Sequence, residues 1–408
     1  MQGALSGYNM KLLLVFFDII EPGGINRVIG GLQDGFRKVG VQADYYHASR
    51  TGNLRCVYPD RPAVISSRIF RMPAMGQIGY DKPDKVKEYK KLVKKYDAVI
   101  FILPCPHDNR QQQGNRSWQE LYDIDKPIFV IFHDNLWDRY YEWMKEVHDK
   151  VTASLYTIKN ARFDSLSRFP CDHYFLPVPL PIEEAGLYDK EKRGRVGWFP
   201  QWKANKGVKG FLAACHLIPP PTRVKLYNIG IVYYSIRHEP IWQENVSFDY
   251  TTYKKAGGPK NVKFYGLLIP GQIERAYKRC NMAVDLSGAE GPFAGQITCT
   301  MLESMLYGSL LLTSDTMMHH RASIIASDAT GKQLAVSANP RDPQAIADAV
   351  NEAMANYGDY SGVRRDALDY VVANNADIEV ARRVVKMIEK YIGKTGQHEK
   401  AKFKKLPV

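Results

Sequence analysis

A histidine and an aspartate follow an apolar run in KPIFVIFHDN, where the residues from Ile128 to Phe132 give way to His133 and Asp134. A buried strand does not keep such side chains, so the pair belongs to its carboxyl end. A His-Asp pair placed there can bind a hydroxyl group and polarise or deprotonate it. A capping or turn motif is the alternative interpretation.

The letters HDN recur at 107–109 after AVIFILP, and we expect this earlier copy to contribute on the acceptor side. The acceptor-side candidates are His107, Asp108 and Arg110.

A glycine-rich loop between a strand and a helix forms a second group, in DLSGAEGPFAGQITCTMLESMLYG. The helix is predicted to begin at about Gln296, which places Glu303 on its second turn, facing the ligand edge of the sheet. One carboxylate accepts hydrogen bonds from both hydroxyls of a ribose, and amides at a helix amino terminus favour a diphosphate. An exposed glutamate preceded by turn-forming glycines is the alternative. The residues predicted to present those amides are Gly295, Gln296, Ile297 and Thr298.

Two further turns could approach a phosphate. EPGGINR puts Gly23 and Gly24 ahead of a helix, where the backbone can come close to a ligand. QWKANKGVKGF places three lysines at a helix start, where any of them could neutralise a diphosphate or lie on a solvated face. These lysines are Lys203, Lys206 and Lys209. The chain has neither G-x-G-x-x-G nor a P-loop, which disfavours a nicotinamide cofactor.

The elements that must position these residues form two successive α/β series. Apolar strand-like runs alternate with amphipathic helical patterns over residues 1–180 and again over 181–376. A Pro-rich and then charged stretch from Phe169 fits an extended crossing between them. Residues 377–408 contain a closing helix and a basic tail. Ligands bind at the carboxyl ends of parallel strands, so the pattern predicts a cleft between two domains.

Hydropathy and the cysteines restrict the class of protein. No stretch approaches the roughly 20 apolar residues of a spanning helix, so no transmembrane segment is expected. The start, MQGALSGYNMKLLLVFF, lacks a cationic region before its apolar run and is interpreted as a first strand, which favours a cytoplasmic protein. Six cysteines occur without a C-x-x-C pair, which argues against a zinc site and a disulfide framework. We expect no metal, because no D-x-D follows a strand and no histidine pair has helical ligand spacing.

The charge balance favours an anionic partner. Lysine and arginine number 56 against 43 acidic residues, a net charge of +13. Such a charge is typical of proteins that bind nucleic acid or an anionic membrane surface, and charge alone does not choose between them. A basic protein without a polyanionic partner is the remaining alternative.

Together these motifs resemble the GT-B glycosyltransferases of the retaining, glycogen-synthase-like kind. The resemblance rests on the Gly-Gly turn after the first strand, the Lys-Gly helix that opens domain two, and the segment around LESMLYG. The usual motif separates two glutamates by seven residues, whereas Glu290 and Glu303 are separated by twelve. The resemblance implies two Rossmann-like domains facing an interdomain cleft, and a nucleotide-sugar donor, most simply a UDP-sugar, on domain two. It also implies retention of configuration and a closing helix that returns to domain one. Besides the UDP-sugar substrate we expect no cofactor.

The lengthened glycine loop makes the chain similar to the branch of that family that glucosylates hydroxymethylcytosine in phage DNA. The similarity is carried by FHDN at 132–135, QWKANKGVKG at 201–210, GQIT at 295–298 and LESMLYG at 302–308. It implies double-stranded DNA as a partner, Asp134 near the acceptor oxygen, and the host cytoplasm as location if a phage encodes the chain. The arginine that commonly follows the first strand of domain two is replaced by Gly197-Trp198, which leaves the diphosphate to the lysines.

Two alternative functions remain. The acceptor could be a lipid-linked or cell-surface saccharide, with DKVKEYKKLVKKYDAV as a cationic docking helix. The chain could also be a non-catalytic nucleic-acid-binding protein on an enzyme-like fold. The sequence does not decide the sugar, the base or the oligomeric state.

Overall fold

Two parallel sheets organise the chain. The computed structural model describes residues 10–17, 24–49, 76–103, 105, 116–132, 142, 144–157, 169–200, 206–228, 257–268, 271–288, 294–320 and 323–392. Within them lie a seven-stranded and a six-stranded sheet, and all the strand pairs described are parallel.

The first sheet has the strand order β3-β2-β1-β4-β5-β6-β7. Its strands are β1 Lys11–Phe16, β2 Gln42–Ser49, β3 Gly76–Gly79, β4 Ala98–Ile102, β5 Ile128–Phe132, β6 Ala153–Tyr156 and β7 Asp172–Phe175. Helices α1 Gly24–Lys38 and α2 Pro83–Val93 accompany it, with 3-10 turns at Arg116–Tyr122 and His148–Lys150. The central strands β4 and β5 are buried throughout, as parallel strands covered on both faces must be. The strand order reverses between β1 and β4, the position at which open parallel sheets bind ligands beyond their strand ends.

The second sheet has the order β10-β9-β8-β11-β12-β13. Its strands are β8 Arg195–Trp198, β9 Arg223–Asn228, β10 Val262–Leu267, β11 Met282–Asp285, β12 Leu310–Ser314 and β13 Val336–Ala338. Its helices are α3 Val208–Ala214, α4 Gln272–Arg279, α5 Cys299–Leu306, α6 Asp315–His319, α7 Ser327–Thr330 and α8 Pro343–Ala355. Here the order reverses between β8 and β11, so the segments that follow these two strands meet at one crevice.

The two faces of the second sheet belong to different cores. One face packs Trp198 and Val224 with α3 and α8 in a cluster confined to the second domain. The other face, through Phe199, Tyr277 and Met301, is part of a cluster that continues into the first sheet. Helices α4 and α5 therefore lie between the two sheets, and residues on α5 can face the first domain.

The chain returns to the first domain at its carboxyl end. Helices α9 Ser361–Asn375 and α10 Asp377–Glu389 follow one another, and α10 packs along α1. The contact is close, since a Cβ on Gly35 would lie 2.3 Å from the backbone oxygen of Asp377. The Lys38 ammonium lies 2.5 Å from the Asp377 carboxylate and also pairs with Glu183. Beyond Ile392 the basic tail lies outside the described residues.

The structure corrects two sequence predictions. The stretch from Phe169, predicted as an extended crossing, contains β7, because this segment hydrogen-bonds to the edge of β6. The helix predicted to begin at Gln296 begins at Cys299, because Thr298 is extended and caps it. No helix of the described segments is long and apolar enough to cross a bilayer.

Candidate functional site

A buried aspartate ties the end of β11 to the start of α5. Asp285 accepts hydrogen bonds from the Ser287 amide at 3.0 Å, from the Ser287 hydroxyl, and from the Thr298 hydroxyl at 2.5 Å. The Thr298 oxygen in turn accepts from the Met301 amide at 3.1 Å, as an N-cap does. The strand end and the first turn of α5 are therefore held together at the crevice of the second sheet.

The loop between them depends on glycine. Gly295 has φ +74°, and a Cβ there would lie 2.4 Å from Nδ1 of His320. Its amide donates to the Gly288 carbonyl at 3.0 Å, which joins residue 295 to the segment that follows β11. The close approach and the positive φ both require glycine, so the predicted Gly295 is a structural requirement of the loop.

Glu303 is buried on the side of α5 that faces the first domain. Glu303 is only 6% exposed, so the alternative interpretation of a solvent-exposed glutamate is wrong. The carboxylate pairs with Arg27 of α1, with 3.0 Å between Nε and Oε1. Burial acts to lower the Arg27 pKa, but the negative charge of Glu303 together with smaller contributions from neighbouring groups raises it above its usual value. The ion pair joins α1 of the first domain to α5 of the second.

Lys206 and Arg27 converge on the first residue of α5. Burial raises the pKa of the Cys299 thiol to about 12, and the charge of Glu303 adds to this effect. The positive charges of Arg27 and Lys206 act in the opposite direction on the same thiol. Lys206 precedes Gly207, on which a Cβ would lie 2.7 Å from Cβ of Leu286, so Lys206 lies at the end of β11. Lys209 lies on α3 and is exposed. Of the described lysines predicted for the diphosphate, Lys206 is the one near α5.

The predicted residues divide into those that the structure places and those that it does not describe. The second-domain group, Gly295, Gln296, Ile297, Thr298 and Glu303, lies at the start of α5 with Lys206 beside it. Gly24 is the first residue of α1, one turn before Arg27. Strand β5 is buried to its last residue, Phe132. The predictions outside the described residues are Gly23, His107, Asp108, Arg110, His133, Asp134, Lys203 and Glu290.

Two site residues were missed by the sequence reasoning. Asp285 ends the apolar run NMAVD, and a carboxylate at a strand end is the same signal that identified Asp134. Arg27 follows the Gly-Gly turn by three residues, but its partner lies 276 positions later and only the packing of the domains brings them together. Among the described residues no group of three or more His, Cys, Asp or Glu is arranged to hold a metal ion.

Two parallel sheets, each with one reversal of strand order, and a closing helix packed on α1 make up the GT-B fold, the class that the sequence motifs predicted. Solved glycosyltransferase structures share it along nearly the whole chain. An alpha-glucosyltransferase in complex with UDP matches with a TM-score of 0.68 and 13% identity, over 93% of this chain and 100% of its own. An alpha-glucosyltransferase in complex with UDP and a 13-mer DNA containing a HMU base matches with a TM-score of 0.68 and 14% identity, over 93% and 99%. Anabaena Alr3699/HepE in complex with UDP-glucose matches with a TM-score of 0.65 and 12% identity, over 94% and 100%.

At these identities the likeness is one of fold. No protein-family model matches the chain. No curated protein matches it either. The predicted resemblance to GT-B glycosyltransferases is confirmed in three dimensions.

Proposed function

We propose that this protein is a retaining glycosyltransferase. It moves a sugar from a nucleotide-sugar, a UDP-sugar, to the hydroxymethyl group of a modified pyrimidine in double-stranded DNA. The bond from the anomeric carbon to the UDP phosphate oxygen breaks and UDP leaves as the free diphosphate, while a bond to the acceptor oxygen forms and the proton of that hydroxyl passes to Asp134. Retention of configuration is carried over from the resemblance.

The observation that carries the donor assignment is the buried Glu303 at the crevice of the second sheet, beside Lys206 and the capped start of α5. In this proposal the carboxylate accepts hydrogen bonds from the ribose hydroxyls. Lys206 and the amides of the first turn of α5 face the diphosphate, whose negative charge grows as it leaves. The fold neighbours solved with UDP or UDP-glucose support this choice of nucleotide.

The acceptor assignment rests on the end of β5 and on charge. His133 and Asp134 follow β5 in the middle of the first sheet, and we assign Asp134 to the acceptor hydroxyl and His133 to binding and orienting it. The net charge of +13 suits phosphate contacts, and a base would have to leave the stack to reach a cleft. A fold neighbour was solved with DNA that contains a HMU base, which supports a DNA acceptor.

The saccharide or lipid alternative has less support from α2, its candidate docking helix. The apolar side chains of α2, Val86, Tyr89 and Val93, are buried, so they cover the first domain. On α2 this leaves the lysines to bind an anionic lipid surface, and they would bind DNA phosphates equally well.

The test is mass spectrometry of nucleosides after incubation with a panel of UDP-sugars and duplex DNA containing hydroxymethylcytosine or hydroxymethyluracil. We expect a sugar-sized mass gain that is lost in Asp134→Ala and kept in Asp149→Ala, which removes an exposed aspartate of the same domain. A chain that binds or hydrolyses a UDP-sugar without modifying any DNA would move the acceptor to saccharide or lipid. Absence of UDP-sugar binding would reject the glycosyltransferase assignment.

A further inference from the structure

Helix α1 brings a cation from the first domain to the carboxylate proposed to bind the donor ribose. Arg27 Nε lies 3.0 Å from Glu303 Oε1, and the side chains are 22% and 7% exposed. In the described part of the chain, this is the only ion pair of Arg27. The carboxylate on α5 is therefore oriented from across the domain boundary.

We propose that Arg27 is a positioning residue of the donor site: it fixes the Glu303 carboxylate so that the ribose hydroxyls find their acceptor already oriented. The inference rests on the proposed function of Glu303 as the ribose ligand. It adds that the donor site, although built on the second domain, is complete only when α1 of the first domain lies against α5.

The chemistry of the pair favours positioning. A buried carboxylate without a cation would be pushed towards its protonated form, which accepts hydrogen bonds poorly. The charge-assisted contact with a planar guanidinium keeps Glu303 ionised and restricts its rotamers. The rings of Tyr277 and Tyr307 stack with centroids 6.0 Å apart, in the core that joins the two sheets.

The opposite end of α1 offers a matched control. Lys38 also joins α1 to a carboxylate of another element, 2.5 Å from Asp377. That pair lies at the contact with α10, eleven residues along the helix from Arg27. Removing either cation takes a charged partner from a buried carboxylate, but only one of the two carboxylates is proposed to bind donor.

The experiment measures UDP binding by calorimetry, together with KM and kcat for the UDP-sugar, in Arg27→Gln, Arg27→Lys and Lys38→Gln. We expect Arg27→Gln to raise the Kd for UDP about tenfold, the loss typical of one hydrogen bond between charged groups. KM for the donor should rise more than kcat falls. Arg27→Lys should recover part of the affinity, and Lys38→Gln should lower the unfolding temperature without changing the Kd.

Glu303→Gln separates the two proposals. If it weakens UDP binding, the donor assignment holds, and Arg27→Gln should then add little in the Glu303→Gln background because both changes disable one unit. If Glu303→Gln binds UDP normally, the donor assignment itself fails. If Glu303→Gln weakens binding while Arg27→Gln leaves it unchanged, the positioning role is overturned. Tighter binding in Arg27→Gln would also overturn it, since Arg27 would then be a competitor of the donor. Should Arg27→Gln fail to fold, Arg27→Lys decides: an unchanged Kd rejects the role.

Discussion

At the scale of single residues, the partly buried Lys192, between the two sheets in sequence, makes stability depend on pH. Lys192 Nζ lies 3.2 Å from the Tyr307 carbonyl and 3.3 Å from that of Tyr277. Burial, reinforced by the charge of Arg364, lowers its pKa from 10.5 to about 7. Between these values the unfolded chain holds a proton that the folded protein lacks. The free energy of unfolding should therefore rise with pH in this window, by up to about 1.4 kcal/mol per pH unit.

The measurement is urea unfolding at several values between about pH 6 and about pH 9, compared with Lys192→Met. The unfolding free energy of Lys192→Met should lack this contribution. The value for the original protein minus the value for the variant should therefore increase with pH. Lys190→Met removes an exposed lysine two positions away and should parallel the original protein. Parallel curves for Lys192→Met would mean that Lys192 stays charged when folded.

At the scale of elements, the start of α5 depends on one hydroxyl group. Thr298 donates to Asp285 and accepts from the Met301 amide, so Thr298→Val loses the N-cap and leaves a buried carboxylate with one donor fewer. We expect a loss of about 1–2 kcal/mol in the free energy of unfolding, together with weaker UDP binding. Thr298→Ser keeps the hydroxyl and should retain both. Urea unfolding and calorimetry with UDP test this, and equal stability of the valine and serine variants would contradict it.

Helices and strands could be predicted where the local sequence pattern alone is typical of the element. Strands β4 and β5 were predicted because buried parallel strands are continuous apolar runs. Strand β3 was not, because GQIG has one aliphatic residue and is a strand only through its pairing with β2. The start of α5, predicted at about Gln296, lies at Cys299 because the Thr298 hydroxyl caps the helix there.

At the scale of the whole molecule, the sequence predicts two domains and a cleft, but not which residues meet across it. Glu303 was predicted from its place on a helix after a glycine loop, which is local information. Its partner Arg27 belongs to another domain, so their contact depends on how the two sheets approach each other. Long-range pairs of this kind leave no periodic pattern, and a buried carboxylate only indicates that some cation must be near.

Net charge also belongs to the whole molecule, and it yields a test that is independent of the site. The excess of 13 positive charges should act on DNA phosphates, whose neutralisation releases counterions. We expect the affinity for unmodified duplex DNA to fall about a thousandfold between roughly 50 and 200 mM salt if about six phosphates are contacted. The affinity for UDP should change little, because buried groups such as Glu303 are screened less than exposed ones. Fluorescence anisotropy with labelled duplexes and calorimetry with UDP measure the two responses.

In turnover, salt should raise KM for DNA while kcat stays constant, because the positive charge acts on DNA binding and not on the sugar transfer. Absence of duplex binding at low salt would show that the positive charge serves another anion, and DNA would be rejected as the acceptor.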